Sequence, residues 1–313
     1  MSFSVAMKDD LARLLSQKKC CRLSEFAALT RFLGSIRIDG GQKVSLLLAT
    51  EHPAVARKIF SLAKELFQME TAIVVHRKNR LSKNQVFSLL MPAQEHLGKA
   101  LEALGFAREE EPWQIDFSAR PLRQILSGPC CQRAYLRGAF LAVGSVNAPQ
   151  GAYHMEMVCH SQEQAQFLRE LLDGFEISAR IIQRKQAWVL YLKGSEPIVT
   201  FLNLIGSHRA LLEFENVRVS KEMRNYLNRR INSETANIDK QVETAQKQIT
   251  DINALISAGR FAKLPPLLRE AAEARMDNPE YSLAELAQIL GVSKSGVNHR
   301  FRRLAQMAER LPQ

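Results

Sequence analysis

Two groups of residues in this 313-residue chain have types and spacings that could do chemistry. The first is a pair of cysteine doublets, Cys20-Cys21 and Cys130-Cys131. Each opens an apolar, helix-like run that closes in Gly-Ser, at Gly34-Ser35 and Gly144-Ser145, and doublets and closures alike lie 110 residues apart. The second is a polar set near the C-terminus: Ser293, Lys294, Ser295, Asn298, His299, Arg302 and Arg303. Asn can pair bidentately with adenine and Arg with guanine, whereas Lys294 and Arg303, at the edges of the set, suit phosphates. Other chemistries find no support. The seven histidines form no H-E-x-x-H or H-x-x-x-H pair, and there is no phosphate-binding G-x-x-x-x-G-K-[ST] loop and no G-x-S-x-G elbow. No catalytic residue, metal or cofactor is therefore expected. The five cysteines include no C-x-x-C spacing and are read as reduced thiols, the doublets packing at the buried starts of two helices. A thiol site across a twofold axis is the alternative.

A fixed interval without gaps is the mark of a duplicated unit. After the first apolar run come a strand in "KVSLLLAT", a helix around His52–Phe67, strands in "TAIVVHRK" and "NQVFSLLM", and a helix around Glu95–Leu104. The order recurs after the second run: "AYHMEMVCH", then the helix "SQEQAQFLRELLDGF", the strands "EISARIIQRK" and "AWVLYLKG", and the helix "PIVTFLNLIG". Alternating strands of this kind need helices over one face of an antiparallel sheet and leave the other face open. Small residues recur along the two leading helices, at Ala27, Ala28 and Gly34 and at Ala134, Gly138, Ala139, Ala142 and Gly144, so the helices are expected to pack closely as a pseudo-twofold pair.

The polar set is positioned by "EYSLAELAQILGVSKSGVNHRFRRL". Ser282 and Glu285 have capping-box spacing, Gly291 suits the positive φ of a tight turn, and Ser293 can cap the next helix. Ala287, Gly291 and Val297 have the spacing of a helix-turn-helix. Val297, Phe301, Leu304 and Ala308 make a buried stripe that turns the polar set outward. A protein-binding helical hairpin with merely solvated charges is the competing reading. Upstream, residues 218–224 read as a short basic connector into a long helix with an apolar stripe at Ile231, Ile238, Val242, Ile249 and Ile252, expected to be core. Arg229 and Arg230 precede a Ser233-Glu234 start signal and are expected at that helix's entrance, within reach of a DNA backbone.

The balance of 43 basic to 32 acidic residues leaves +11, divided as +7 over residues 1–223 and +4 beyond, which suits a polyanion partner. No apolar run is long enough to cross a bilayer, and Asp9 and Asp10 fall where a secretory signal needs its apolar stretch, so a cytoplasmic protein with no membrane partner is expected.

The run "YLRGAFLAVGSV" resembles the LAGLIDADG helix of homing endonucleases, with Gly138 on the motif's central glycine and Gly144-Ser145 on its closing Gly-Ser. The metal-binding aspartate of that motif falls on Val143 here, and on Leu33 in the first copy. Neither can hold the divalent cations that phosphate attack requires, so the resemblance implies a kept scaffold and lost cutting chemistry. With "SFSVAMKDDL", "NRRINSETANIDKQV" and the helix-turn-helix run, nearly the whole chain resembles the WhiA regulators of Gram-positive bacteria. That resemblance implies an α+β chain: a duplicated, saddle-like LAGLIDADG domain over 1–218, in repeats of about 1–110 and 111–218, then an all-α helix-turn-helix domain over 219–313. It further implies a nucleoid-associated transcription factor linked to cell division, chromosome segregation and, in some relatives, sporulation. Its partners would be double-stranded DNA and other transcription or division regulators. An active homing-type endonuclease and a protein-interaction scaffold are the alternatives from other classes.

Overall fold

The computed structural model describes residues 2–39, 43–77, 85–93, 95–106 and 123–311, and the expected boundary between repeats near residue 110 lies outside them. The chain divides into two compact units, Met1–Ser220 and Lys221–Gln313.

The first unit opens with α1 (Phe3–Arg13), capped by Ser2, which the sequence reading did not foresee. Then comes the first copy of the repeat: α2 (Lys19–Leu33), β1 (Gly34–Asp39), β2 (Lys43–Thr50), α3 (Pro53–Phe67), β3 (Ala72–Arg77), β4 (Gln85–Met91) and α4 (Glu95–Ala103). The second copy runs α5 (Pro129–Val143), β5 (Gly144–Val146), β6 (His154–Cys159), α6 (Gln162–Asp173), β7 (Arg180–Arg184), β8 (Ala187–Lys193) and α7 (Ser195–Leu204). Each copy builds a four-stranded antiparallel sheet, ordered β1-β2-β4-β3 and β5-β6-β8-β7. The copies thus match in strand order as well as in sequence interval.

Strand alternation sets which face is covered. In the first sheet Leu46 and Leu48 lie opposite Met91 and Leu89, and all four are buried. In the second, Met155 and Met157 lie opposite Leu192 and Leu190, again all buried. Helices cover those sides. Pro53 starts α3, which buries Val55, Ile59 and Leu62; Ser161 caps α6, which buries Ala165, Leu168 and Leu172. The other sides carry exposed Val74, and Val158 with Ile182.

The leading helices α2 and α5 do pack closely, as their small residues predict. A Cβ built on Gly138 would stand 2.5 Å from the carbonyl oxygen of Glu25 and 2.9 Å from the Cβ of Ala28, so only glycine permits this approach. Beside it lies a feature no pattern announced. The fully buried carboxylate of Glu25 takes Lys58 Nζ of α3 at 2.6 Å and the guanidinium of Arg137 of α5 at 2.9 and 3.0 Å. Lys58 also donates to the carbonyls of Leu11 and Leu14 at 3.1 and 2.6 Å. A buried carboxylate survives only when paired and hydrogen-bonded, and here its partners tie three helices together.

The doublets need a partial correction. Cys21 and Cys131 are buried, as a packing residue should be, but Cys20 and Cys130 are exposed. All five cysteines are free thiols.

The second correction concerns the connector expected over 218–224. Those residues lie inside one continuous helix, α8 (His208–Ser257). The reason is composition: no Gly or Pro occurs between 208 and 257, so nothing interrupts the hydrogen-bond ladder. The stripe expected as core is also divided. Ile252 is buried, whereas Ile231, Ile238 and Val242 are 56%, 59% and 49% exposed. After a short 3-10 turn at Phe261–Lys263 come α9 (Pro266–Asp277), α10 (Leu283–Ile289) and α11 (Lys294–Glu309). Ile252, Leu255, Ala272, Leu286, Val297, Phe301 and Leu304 form the core of this second unit. The architecture is α+β: two like sheet-and-helix repeats, followed by an all-α unit.

Candidate nucleic-acid interface

The hairpin of α10 and α11 forms where its sequence signals place it. Ser282 Oγ accepts from the Glu285 amide at 3.3 Å while Glu285 accepts from the Ser282 amide at 2.7 Å, a complete capping box. Those hydrogen bonds with Ser282 outweigh a smaller desolvation and hold the Glu285 carboxyl below its ordinary range. Gly291 takes φ +64°, and the Val292 amide returns to the Ala287 carbonyl at 3.0 Å, closing α10 in the manner of a glycine C-cap. Ser293 Oγ accepts from the Gly296 amide at 3.1 Å and opens α11.

Val297, Phe301 and Leu304 are buried and Ala308 half-buried, which fixes the rotation of α11 about its axis. Ser293, Lys294, Ser295, His299, Arg302 and Arg303 are exposed and Asn298 is half-buried. Among the described residues, the side chains of Lys294, Asn298, His299, Arg302 and Arg303 have no hydrogen-bond or ion-pair partner. Arg300, by contrast, is held by Glu270 of α9 at 3.2 Å. The helix therefore presents, over its first ten residues, a donor-and-acceptor set with its hydrogen-bonding capacity unspent.

The residue that sequence reasoning missed is Arg275. It is 1% exposed, at the centre of the second unit. Its guanidinium donates to Gln248 Oε1 of α8 at 3.0 Å and to the carbonyls of Tyr281, Asn278 and Pro279 at 2.5, 3.3 and 3.4 Å, and it lies 5.6 Å from the ring centre of Phe301. One side chain thus fixes the α9–α10 turn against α8 and against the buried face of α11. Burial lowers its pKa. An arginine in an apparently solvated run, "EAAEARMDN", carries no local sign of this, because Gln248 and Phe301 reach it from helices more than twenty residues away in either direction.

Arg229 and Arg230 do not stand at a helix entrance; both are inside α8, because the helix begins far upstream of Ser233. Arg229 Nε donates to the Asn225 carbonyl at 3.2 Å and Arg230 Nε to Glu234 at 2.9 Å, so Arg230 is partly neutralised by its own helix.

The open face of the second sheet carries Arg180, Arg184, Lys193 and His154, with Glu156 as its one acid among the strand residues. Glu156 draws Arg184 at 3.5 Å and His154 at 3.3 Å. On the first sheet the matching face is nearly neutral over its described side chains, Arg37 and His76 being the basic ones on β1 and β3. Among the described strand side chains, the basic ones on the open faces thus lie mainly on the second sheet. At the C-terminal ends of α2 and α5, Leu33 and Val143 are half-buried and pack against the core. No helix among the described residues is long and apolar enough to cross a membrane.

Three family models match the chain: a WhiA N-terminal LAGLIDADG-like domain over residues 19–106, a WhiA LAGLIDADG-like domain over 132–224, and a WhiA C-terminal HTH domain over 227–308. The chain is 46% identical over 99% of its length to a probable cell division protein WhiA of Desulforamulus reducens, covering 96% of that relative. It is 47% identical, with the same coverage of each, to the one of Heliobacterium modesticaldum. Among solved structures it is similar to full-length DUF199/WhiA from Thermatoga maritima, with a TM-score of 0.61 at 24% identity over all of both chains. It is similar also to an N-terminal LAGLIDADG domain of DUF199/WhiA, with a TM-score of 0.51 at 22% identity over 66% of this chain and 90% of that one.

Proposed function

This chain belongs to the WhiA family, and we propose that it is a sequence-specific, DNA-binding transcriptional regulator involved in cell division and chromosome segregation, with its nuclease activity lost. In this reading residues 219–313 read the operator through Ser293, Lys294, Ser295, Asn298, His299, Arg302 and Arg303, and residues 1–218 add backbone contacts. The observation that carries it is the state of α11: one face is locked by Val297, Phe301 and Leu304, while the other offers amide, imidazole and guanidinium groups with no partner among the described residues. A helix held this way can present bidentate donors to a major groove at low ordering cost. Arg229 and Arg230 fit a flanking phosphate contact at most. The want of nuclease activity rests on Leu33 and Val143, whose hydrocarbon side chains offer no oxygen to a hard cation. The relatives' printed name, probable cell division protein WhiA, supports cell division as the process; in this reading the partners are double-stranded DNA and other division or transcription regulators, on the nucleoid.

Binding of the full chain to genomic fragments across a salt series, run beside a supercoiled-plasmid assay with Mg²⁺ and Mn²⁺, tests both halves of the reading. A few fragments should be retained far above the rest, affinity should fall steeply with salt, and the plasmid should stay supercoiled. Equal retention of every fragment would leave only a nonspecific binder, and metal-dependent nicking by the purified chain would restore the nuclease.

A further inference from the structure

The two cysteine doublets occupy equivalent places. Cys20 and Cys21 are the second and third residues of α2, and Cys130 and Cys131 the second and third of α5. The crossing of the helix pair brings these two N-terminal turns together, and all four Sγ atoms lie within 4.8 Å of one another. Neither helix has a side-chain cap: the N-cap positions are Lys18 and Gly128, both extended, and neither donates or accepts through a side chain. The positive ends of two helix dipoles therefore converge on four sulfurs.

Basic side chains stand beside those sulfurs. The cleft that Cys21 and Cys130 line is about 580 Å³ and includes Lys18, Arg133 and Arg137 but no carboxylate. Ser127 Oγ stands 3.6 Å from Cys131 Sγ as an outer hydrogen-bond partner. Cys21 and Cys131 pack with Ala134 in a small apolar cluster, while Cys20 and Cys130 open to solvent, giving a dry back and a way in.

We propose that Cys20, Cys21, Cys130 and Cys131 bind one soft divalent cation of the zinc class as a tetrahedral tetrathiolate, joining the N-terminal ends of the two central helices. The dimensions fit. A Zn–S bond of about 2.3 Å sets tetrahedral sulfur–sulfur edges of roughly 3.8 Å, so sulfurs already within 4.8 Å need only side-chain rotation to close on an ion. An iron–sulfur cluster interposes several atoms between its thiolates and would push them further apart than this. Hard cations such as Mg²⁺ take oxygen ligands and gain nothing from sulfur.

The proton balance is explicit. Four thiols and one divalent cation give a dianionic centre and release one proton per thiol that was neutral. Before the ion arrives, burial pushes the Cys21 thiol up to about 12. Burial also opposes ionisation of Cys131, yet hydrogen bonds from Ser127 and the neighbouring groups outweigh it and hold that thiol below its ordinary value. The cation removes the remaining protons outright, and the converging helix ends with Lys18 and Arg133 offset the charge. This is not the nuclease metal site in another guise. It lies at the opposite end of helices 15 residues long from Leu33 and Val143, about 20 Å away by helical rise, and its ligands are sulfur rather than oxygen. Two ligands come from each repeat, so the ion holds the copies together irrespective of whether the chain binds DNA.

Tag-free full-length protein, reduced, stripped of metal and kept anaerobic, is titrated with Co²⁺ and then Zn²⁺. One equivalent of Co²⁺ should give the thiolate-to-cobalt charge-transfer band and the strong visible bands of tetrahedral coordination, and Zn²⁺ should abolish both. Cys20→Ser and Cys130→Ser, at the exposed positions, should weaken Zn²⁺ binding by more than the ~10–100-fold that losing an outer-shell partner produces, and Cys159→Ser should leave it unchanged. A measurement on the wild type guards against misfolded variants: mass-resolved alkylation should label Cys20 and Cys130 quickly without Zn²⁺ and slowly with it. Equal labelling in both states, octahedral Co²⁺ spectra, or a Cys20–Cys130 disulfide forming in air with no metal uptake under reduction would each overturn the assignment.

Discussion

Helix α11 and the open face of the second sheet are both basic, yet they are basic in different ways. On α11, Lys294, Asn298, His299, Arg302 and Arg303 have no partner within the described residues, and Asn298 and His299 supply acceptors alongside the donors. On the sheet, Arg184 and His154 already share Glu156, and Val158 and Ile182 separate the charges with hydrocarbon. A base edge is read by a matched set of donors and acceptors held at fixed angles, whereas a phosphate needs only a nearby cation. In the function proposed above, the contrast corresponds to reading by one region and gripping by the other, and three sets of variants can break or sharpen it.

The largest effect should come from Arg275→Met, which removes one region while keeping the other. The carbonyls of Tyr281, Asn278 and Pro279 and the side chain of Gln248 lose their donor together. Gln248 is buried and the carbonyls are partly so; a buried acceptor left unsatisfied costs about 1–3 kcal/mol, so with the lost packing of a buried side chain the second unit should be clearly destabilised. Calorimetry should show its transition falling while that of the first unit stays in place. Selective retention of an operator should vanish and weak, salt-sensitive binding by the first unit should persist. If selectivity survived the loss of the second unit's transition, reading would belong to the sheets.

Within α11, Asn298→Ala and Arg302→Ala should each cost about 1–3 kcal/mol on a specific duplex and relax preference at one base position, with little change on a scrambled one. Arg303→Ala should weaken both duplexes alike and lower the salt slope by about one unit. Titrations of the three variants at two salt concentrations separate these classes; uniform losses on both duplexes would mean that α11 grips without reading.

The smallest effect belongs to the sheet. Arg180→Ala should reduce the salt slope by no more than about one unit and leave base preference unchanged. Arg184→Ala should do less, because Glu156 already offsets its charge. A shift in preferred sequence from either variant would erase the distinction between the regions.

What the sequence disclosed and what it hid divide along a physical line. The repeat was legible because Cys doublets and Gly-Ser closures recur at one interval, and the hairpin was legible because Ser282, Glu285, Gly291 and Ser293 act on their own neighbours within a few residues. Strands β1 and β5 escaped because they begin at Gly34 and Gly144 directly at the ends of α2 and α5, with no turn between to mark them. The continuity of α8 escaped because basic residues at 218–224 resemble a linker by composition, although the want of Gly and Pro was the better signal. Arg275, the Glu25 pairings and the gathering of four sulfurs were out of reach for another reason. Each depends on groups brought together from distant chain, and periodicity carries no information about which helix lies across from which.

The interval between the repeats makes Ala28 the counterpart of Gly138 and Tyr135 the counterpart of Glu25. Ala28 and Gly138 meet across the helix crossing, where a second methyl would stand 2.9 Å from the first: there is room beside the pseudo-axis for one methyl, not two. In a symmetric dimer of single repeats a residue beside the axis is met by its own copy, and that position would have to be glycine on both sides. The same symmetry would set two copies of Glu25 beside the axis, where this chain has one carboxylate and one fully buried tyrosine. Joining the repeats in one chain frees each member of a pair to answer the other instead of itself. For that reason neither half of this helix pair, excised and left to associate with its own copy, should rebuild the packing that the two unlike halves achieve together.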